Sequence, residues 1–346
     1  MEMRFLGQFG LQVSAISYGT TTFGPRDDYF RKLGDITDVK VARRMIEVCL
    51  EAGVNLFDSA DAYSDGGSEE MLGKAIQGYR DQILLATKVF NRMGPGANDI
   101  GLSRAHIIQA CEASLRRLNT DHIDLFQAHG FDALVPIEET LSAFDQLVRS
   151  GKVRYTGCSN FSAWHLMKSL AISERYGYER YASQQIFYSL LSRESEYELV
   201  PLTLDQKVGI LIWSPLAGGF LSGKYRRGAA EPADSRRSKV IDLEITISEE
   251  KAYDIIDTVR DIAAERGVTG SQVALNWLLR KPGVTSVIIG ARNEQQLREN
   301  LQAATWRLSD DEMQRLNSVS AIPLIYPNWH QQRYGGARNP GLPQMD

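Results

Sequence analysis

The fold is decided by residues 123 to 158, where two short apolar segments flank a longer amphipathic one. The first segment reads Ile123-Asp-Leu-Phe-Gln-Ala128, the middle one covers Ile137–Ser150, and the last reads Val153-Arg-Tyr-Thr-Gly-Cys158. Short β-branched and aromatic runs predict strands, whereas apolar residues at helical spacing predict a helix. The stretch therefore predicts strand, helix and strand, the arrangement from which parallel sheets are built.

The same alternation continues towards both ends of the chain. The other predicted strands are Ile16–Gly19, Leu56–Asp58, Ile83–Lys88, Ala182–Gln185, Val208–Trp213 and Val284–Ile289, and further helices are predicted at Val39–Ala52, Ser103–Leu118 and Ser271–Leu279. Eight parallel strands with intervening helices close most readily into a (β/α)8 barrel, the TIM barrel of the α/β class. Since such barrels commonly reach this length, we expect residues 1–346 to form a single domain.

Two segments outside the repeat have recognisable signals. Apolar runs flank the turn residues Gly7–Gly10 within Met3–Val13, which predicts an N-terminal hairpin across the barrel floor. Ser309 and Glu312 have the spacing of a capping box, which predicts an extra C-terminal helix outside the barrel.

Two further segments are predicted to be irregular. One is the loop around Arg226–Lys239, and the other is the tail after Ala321, whose helix-breaking residues are Pro323, Pro327, Gly335, Gly336, Pro340 and Pro343. The tail also contains Tyr326, Trp329 and His330. We expect these rings to pack against the body of the protein, because a solvated loop has little use for them.

Composition excludes several classes of function. Thirty-nine basic and 43 acidic residues leave a formal charge of −4, which does not favour a nucleic-acid-binding protein. The three cysteines, Cys49, Cys111 and Cys158, are too far apart for a CxxC motif and predict a reducing, cytoplasmic location. Neither a signal-peptide core nor an apolar run of about 18 residues is present, so no membrane association is expected. The five histidines lack metal-ligand spacing, which predicts that no metal is bound.

Four polar side chains lie at the ends of three neighbouring predicted strands. Asp58 ends one strand, Tyr63 follows it by five residues, Lys88 ends the next, and His129 directly follows Ile123–Ala128. Because the carboxyl ends of barrel strands meet at one face, we expect these residues to share a cavity. Taken singly, each has a structural explanation, such as an ion pair or a packing role, but their joint order favours a catalytic site.

The chemistry of these groups is complementary. A buried Lys88 ammonium needs a counter-ion, and Asp58 is the natural candidate. A tyrosine has an ordinary pKa of about 10, so as a proton donor at neutral pH it needs a nearby cation. Lys88 would supply that charge to Tyr63, while the imidazole of His129 would orient a carbonyl oxygen without a metal.

The segments Asn55-Leu-Phe-Asp-Ser-Ala-Asp-Ala-Tyr63, Ser68-Glu-Glu-Met-Leu-Gly-Lys-Ala75, Ala86-Thr-Lys88 and Gln127-Ala-His129 resemble the aldo-keto reductase superfamily over nearly the whole chain, in particular the branch of potassium-channel beta subunits and bacterial general aldo-keto reductases. The family's catalytic aspartate, tyrosine, lysine and histidine match the four residues above. Ser59 replaces the threonine of many members. The resemblance implies reversible, NADPH-dependent reduction of an aldehyde or ketone to an alcohol, with Tyr63 as general acid and base.

The resemblance also implies that NADP(H) lies across the barrel mouth, which needs no Rossmann GxGxxG motif. Ser159, Asn160 and Gln185 would hold the nicotinamide amide, and Trp213 would stack on its ring. Ser214 and Leu216 would touch the pyrophosphate. The 2′-phosphate would meet Lys224, Arg236 and Arg292, the last being the reason to choose NADP over NAD. Glu299 and Asn300 would meet the adenine, and the remaining expected cofactor contacts are Gly19, Thr20, Pro215, Gly218, Gly290 and Gln296.

Two other functions stay open at this stage. A regulatory or accessory subunit that senses NADP(H), with slow turnover, would carry the same residues. An aldolase using Lys88 as a Schiff base would need a neutral amine, and Asp58 argues against it by keeping the amine charged. The carbonyl or alcohol substrate, the physiological direction and the oligomeric state do not follow from the sequence.

Overall fold

Eight parallel strands close into a barrel in the computed structural model, which describes residues 1–24, 36–229 and 247–335. The strands are β1 (Met3–Phe5), β2 (Gln12–Ser14), β3 (Ile16–Gly19), β4 (Leu56–Asp58), β5 (Leu84–Val89), β6 (Ile123–Ala128), β7 (Val153–Ser159), β8 (Tyr181–Phe187), β9 (Gly209–Trp213) and β10 (Val284–Ile289). Strands β3 to β10 form the barrel, and β10 pairs back with β3. The prediction of a (β/α)8 barrel is confirmed, and every predicted barrel strand lies within two residues of its observed bounds.

Helices surround the barrel and connect its strands. They are α1 (Val39–Glu51), α2 (Gly67–Ala75), α3 (Arg104–Leu118), α4 (Ile137–Arg149), α5 (Ala163–Tyr176), α6 (Leu199–Gln206), α7 (Glu249–Arg266), α8 (Gly270–Leu279), α9 (Glu294–Leu301), α10 (Asp310–Val319) and α11 (Asn328–Gly335). Side-chain caps begin several of them: Ser103 accepts a hydrogen bond from the His106 amide, and Asn293 accepts one from the Gln296 amide. Such caps satisfy backbone donors that a first helical turn leaves free.

The N-terminal hairpin covers the floor of the barrel, as predicted. Strands β1 and β2 pair antiparallel. Leu6, which follows β1, and Val13 of β2 are fully buried among apolar side chains of the barrel interior. Gly7, with a φ of +61°, turns the chain where an added Cβ would stand 2.4 Å from the carbonyl oxygen of Lys207. Only glycine fits this close approach, which holds the hairpin against the start of β9.

Alternation along the strands separates an apolar lower layer from a polar upper one inside the barrel. Leu56 of β4 and Ala86 of β5 belong to the interior apolar cluster, whereas Phe57 and Leu85 belong to the core between strands and helices. Since successive side chains point to opposite faces, the residue two positions after each interior one points inward again, closer to the barrel mouth. Those residues are Asp58 and Lys88.

The capping box at the last barrel-flanking helix is confirmed. The side chain of Ser309 accepts a hydrogen bond from the Glu312 amide, and the Glu312 carboxylate accepts one from the Ser309 amide at 2.6 Å. Glu312 also receives two hydrogen bonds of 2.6 Å from Arg266 of α7. This ion pair fixes α10 against the barrel helix α7.

The tail differs from its prediction. It was expected to be irregular, but Asn328–Gly335 forms α11, which starts directly after Pro327, where the missing proline N–H costs no helical hydrogen bond. The tail aromatics were expected to pack on the body, yet Tyr326 is 73% exposed and its ring lies beside Trp329. Gly336, Pro340, Pro343 and most of the Arg226–Lys239 loop lie outside the described residues.

Several plain observations bear on the expected partners. Within the described residues, no helix has the length and apolar character needed to cross a membrane. In the same part of the chain, no group of three or more His, Cys, Asp or Glu side chains has an arrangement that could hold a metal ion. The three cysteines are buried and unpaired thiols.

Candidate active site

A cleft of about 640 Å³ opens at the carboxyl ends of the barrel strands. Asp58, Tyr63 and His129 line one part of it. Lys88 lies directly behind them with none of its surface exposed. The structure therefore brings the four predicted catalytic residues together, from β4, the loop after it, β5 and the end of β6.

Asp58 and Lys88 form a buried ion pair. The Lys88 Nζ donates to Asp58 Oδ2 at 2.6 Å and to the Ser59 carbonyl oxygen at 2.7 Å. The other oxygen of Asp58 accepts hydrogen bonds from Gln185 Nε2 at 3.0 Å and Gln127 Nε2 at 3.2 Å. Burial by itself lowers the pKa of Lys88, but the charges and hydrogen bonds of Asp58 and Tyr63 outweigh burial and raise it. The amine is therefore held as an ammonium.

Tyr63 is positioned by the loop that follows β4. The Tyr63 hydroxyl lies 3.4 Å from the ammonium of Lys88, and its ring meets the imidazole of His129 edge-on with centroids 5.8 Å apart. Buried hydroxyls anchor the loop, since Ser68 Oγ lies 2.9 Å from Thr20 Oγ1 and 3.3 Å from Ser59 Oγ. This packing places one phenol against one desolvated cation, as the proton-donor hypothesis requires.

His129 is a neutral imidazole. Burial, and secondly the positive charge of Lys88, lower its pKa to about 3. The backbone of His129 is held on both sides, because its amide donates to the Val89 carbonyl at 2.9 Å and its carbonyl accepts from Asn160 Nδ2 at 2.9 Å. At neutral pH the ring can donate or accept a hydrogen bond, but it carries no charge.

One wall of the cleft is built from β7, β8 and β9. Asn160 Oδ1 accepts a hydrogen bond from Trp213 Nε1 at 3.1 Å, and Ser159 Oγ donates to the Gln185 carbonyl at 3.1 Å. The Trp213 ring stacks on Phe187 with centroids 4.8 Å apart. Asn160 has a φ of +59°, a left-handed conformation that costs energy for a residue other than glycine and is typical of functional loops.

The far end of the cleft is cationic and lies at a helix N-terminus. Lys224 and Arg292 both line it, and α9 begins just after Arg292. The Gln296 side chain accepts a hydrogen bond from the Arg292 amide at 2.9 Å, which holds that loop against the first turn of α9. Cationic side chains together with free helical N–H groups suit an anion.

Most of the residues predicted to contact the cofactor line this cleft. They are Gly19, Ser159, Asn160, Gln185, Trp213, Ser214, Pro215, Leu216, Gly218, Lys224, Gly290, Arg292 and Gln296. The cleft has the aromatic ring of Trp213 beside the amides of Asn160 and Gln185, and it also has the cations Lys224 and Arg292. This set of residue types suits an extended dinucleotide. The residues that line the cleft are thus consistent with NADP(H).

Three other predicted contacts, Thr20, Glu299 and Asn300, are not among the residues that line the cleft. Thr20 is fully buried and hydrogen-bonds to the Asp58 carbonyl and to Ser68, so it supports the loop from behind. Asn300 is also buried, and the Glu299 carboxylate accepts a hydrogen bond from Gln295 one turn earlier on α9. The two residues lie one helical turn beyond Gln296, which lines the cleft. Arg236 lies outside the described residues.

Sequence reasoning assigned no role to several residues of the site. Gln127 was noticed only as part of a motif, although it holds Asp58. Asn91 lines the cleft and contacts His129, and the other cleft residues not predicted are Thr21, Thr22, Gly219, Ser222, Ile288, Ile289 and Asn293. A systematic search of the few residues after each predicted strand would have found Asn91, Thr21 and Thr22, because those positions face the barrel mouth.

Known proteins share both this fold and much of this sequence. Residues 15–321 match the model of the aldo/keto reductase family. The chain is 37% identical to YrpG, described as an uncharacterized oxidoreductase of Bacillus subtilis, over 93% of this chain and 97% of that protein. It is 38% identical to a probable voltage-gated potassium channel subunit beta of Arabidopsis thaliana, over 94% of each chain. It is 31% identical to versiconal hemiacetal acetate reductase of Aspergillus parasiticus, over 94% and 99%. With its closed barrel and the cleft at the strand ends, the chain belongs to the aldo/keto reductase family.

Proposed function

We propose that this protein reduces an aldehyde or ketone to an alcohol with NADPH, reversibly, with Tyr63 as general acid and base. The observation that carries the proposal is the Tyr63 hydroxyl, 3.4 Å from a buried ammonium and open to the same cleft as a neutral histidine. A phenol in this setting can donate its proton to a substrate oxygen, because Lys88 stabilises the negative charge that develops on the phenol oxygen in the transition state.

The roles of the other catalytic residues follow from their contacts. Asp58 keeps Lys88 charged and holds its Nζ in place, while the Gln127 and Gln185 amides prevent the carboxylate from turning away. The neutral His129 hydrogen-bonds the substrate oxygen and orients it towards the Tyr63 hydroxyl. In reduction, the carbonyl carbon gains a hydride, and its oxygen gains the proton that leaves Tyr63.

NADPH, when bound, supplies that hydride. Ser159, Asn160 and Gln185 would hold its carboxamide, and Trp213 would stack on the nicotinamide ring. Lys224 and Arg292, with the start of α9, hold the 2′-phosphate. This last contact sets the preference for NADPH over NADH, because NADH offers no phosphate there.

Lys88 does not act as a Schiff-base nucleophile in this proposal. A Schiff base forms from a neutral amine, whereas Asp58 keeps Lys88 as an ammonium. Trapping of a Lys88 adduct with borohydride, in the presence of a carbonyl substrate and without nicotinamide, would instead assign aldolase chemistry.

The test is NADPH oxidation, followed by absorbance, against aromatic, aliphatic and sugar carbonyls, with NADH in parallel. We expect carbonyl-dependent oxidation with a preference for NADPH. The matched control is Tyr63→Phe, which keeps the ring and removes only the proton donor. Oxidation that is independent of the carbonyl, or undiminished in Tyr63→Phe, would contradict the proposal.

A second function is favoured by one comparison, the probable potassium channel subunit beta that is 38% identical over nearly the whole chain. In this alternative the protein is an accessory subunit in a small-molecule-sensing role: it binds NADP(H) and turns over slowly. Tight NADPH binding by fluorescence, together with no turnover across the carbonyl panel, would support this function over the enzyme.

A further inference from the structure

Asn91 stands beside the imidazole that the proposed reaction uses. It lies on the loop after β5, three residues beyond Lys88, and lines the cleft. Its side-chain Nδ2 is 3.3 Å from Nδ1 of His129. The chemistry described so far gives Asn91 no task, although it contacts the ring expected to orient the substrate oxygen.

The charge state of His129 makes this contact consequential. Because burial and the Lys88 ammonium keep the imidazole neutral, only one of its two ring nitrogens carries a proton. The partner of one nitrogen then decides what the other can do. The second ring nitrogen does not become an N–H donor by protonation of the imidazole, since the Lys88 ammonium opposes another positive charge nearby.

The two tautomers would act differently on a carbonyl substrate. With the proton on Nε2, the ring donates a hydrogen bond to the carbonyl oxygen and helps to draw electron density onto it. With the proton on Nδ1, the lone pair of Nε2 faces a lone pair of the carbonyl oxygen. The second arrangement repels the substrate oxygen from the position beside the Tyr63 hydroxyl.

We propose that Asn91 is a positioning residue that selects the productive tautomer of His129. The Asn91 amide donates to Nδ1, so the proton of the ring resides on Nε2. The inference rests on the proposed function for its consequence in turnover, but the tautomer itself is a property of the protein alone. The backbone of His129 is held by Val89 and Asn160, and its ring meets Tyr63 edge-on, so the Asn91 amide is the hydrogen-bond partner that biases the ring proton.

Two substitutions change the partner of Nδ1 in opposite ways. Asn91→Leu keeps a similar volume and removes the hydrogen bond, so both tautomers become populated. Asn91→Asp offers only acceptor oxygens, so it draws the proton to Nδ1 and leaves Nε2 as a lone pair. Asn98→Asp is the matched control, because Asn98 is exposed on the same loop and gains the same charge. Neither change at position 91 threatens the core, since Asn91 is only partly buried.

The first measurement is ¹⁵N NMR of the histidine ring nitrogens, with the His129 signals assigned by their loss in His129→Gln. We expect a protonated Nε2 in the wild-type protein, a mixture in Asn91→Leu, and a protonated Nδ1 in Asn91→Asp. Asn98→Asp should keep the wild-type pattern. A wild-type ring protonated on Nδ1 would overturn the inference, whatever the activity of the protein.

The second measurement is turnover as a function of pH. Loss of one hydrogen bond to the reacting oxygen should lower kcat by roughly tenfold in Asn91→Leu, since about 1.4 kcal/mol corresponds to tenfold. The KM for NADPH should stay unchanged, because Asn91 is not among the residues proposed to hold the cofactor. In Asn91→Asp, kcat should be low at neutral pH and recover on acidification, because the added carboxylate favours an imidazolium that donates from both nitrogens.

The outcomes separate this inference from the proposed function. Normal kcat in both variants at position 91, in an enzyme whose wild-type form turns over, would refute the role of Asn91. A wild-type protein without carbonyl-dependent NADPH oxidation would refute the proposed function, and the NMR result would still decide the tautomer.

Discussion

Replacing Lys88 by methionine tests the proposed mechanism most directly, because the substitution removes the charge and keeps most of the side-chain volume. In the structure the ammonium lies 3.4 Å from the Tyr63 hydroxyl. Opposite unit charges at that separation attract by about 5 kcal/mol at an effective dielectric constant of about 20. If roughly half a charge develops on the Tyr63 oxygen in the transition state, about 2.5 kcal/mol is lost, and kcat falls by roughly 100-fold.

The same substitution should destabilise the fold. It leaves the Asp58 carboxylate, which is 3% exposed, buried without its cation, a change that typically costs about 3–5 kcal/mol. The hydrogen bonds from Gln127 and Gln185 to Asp58 remain, so we expect the loss of unfolding free energy to be near the lower end of this range. The double variant Lys88→Met with Asp58→Asn should recover much of this stability without recovering turnover.

Turnover is measured as carbonyl-dependent NADPH oxidation per folded molecule, and stability by urea unfolding. Lys281→Met is the matched control, because Lys281 is another buried lysine, 3.5 Å from Glu196 and away from the cleft. It should lose stability but keep kcat. A Lys88→Met enzyme with kcat within about threefold of the wild type would refute the reasoning, because the field of Lys88 on Tyr63 would then contribute too little to matter.

Three further predictions concern other residues of the site. Tyr63→Phe should leave NADPH affinity, measured by fluorescence, nearly unchanged while turnover falls by orders of magnitude; a fully active variant would exclude the proton-donor role. Arg292→Ala should weaken NADPH binding by roughly 1.5–3 kcal/mol, as is typical of a charged hydrogen bond, and NADH binding by much less. Equal losses would rule out the phosphate contact. Asp61 is fully buried, and burial, with a smaller contribution from Glu69, raises the pKa of its carboxyl to about 8. Because the pKa of Asp61 is higher in the folded than in the unfolded protein, where it is near 4, the protonated carboxyl stabilises the fold fully below about pH 4. This contribution is lost as the pH rises towards 8. Asp61→Asn should therefore gain stability over the wild type by up to about 1.4 kcal/mol per pH unit across that window. A difference in unfolding free energy between the two proteins that stays constant from pH 4 to 8 would contradict this prediction.

A contact between distant residues keeps the anion-binding end of the cleft free of an unpaired negative charge. Glu294, at the first position of α9, would repel a phosphate if it were unpaired. Two hydrogen bonds of 3.0 Å from Arg44 of α1 and one of 2.9 Å from Arg298 neutralise it. Only the tertiary structure brings Arg44 to this helix, because the two residues are 250 positions apart.

The strands and the grouping of Asp58, Tyr63, Lys88 and His129 at one face of the barrel were predictable because both depend on local patterns. Alternating side chains place Asp58 and Lys88 inward two positions after Leu56 and Ala86, and parallel strands bring their carboxyl ends to one face. The predicted hairpin and the capping box at Ser309 likewise need only neighbouring residues. In each of these cases the local structure depends on residues that are close together in the sequence.

Local patterns in the sequence are therefore enough to specify the barrel strands and the order of the polar residues at their ends. The tertiary structure brings together the groups that hold those ends, because Gln127 and Gln185 contact Asp58 and Asn91 contacts His129. The tail helix Asn328–Gly335 belongs to the same group, since the breakers around it predicted irregular structure. These features depend on the stagger between strands and on contacts between distant loops, and no local pattern encodes such distances.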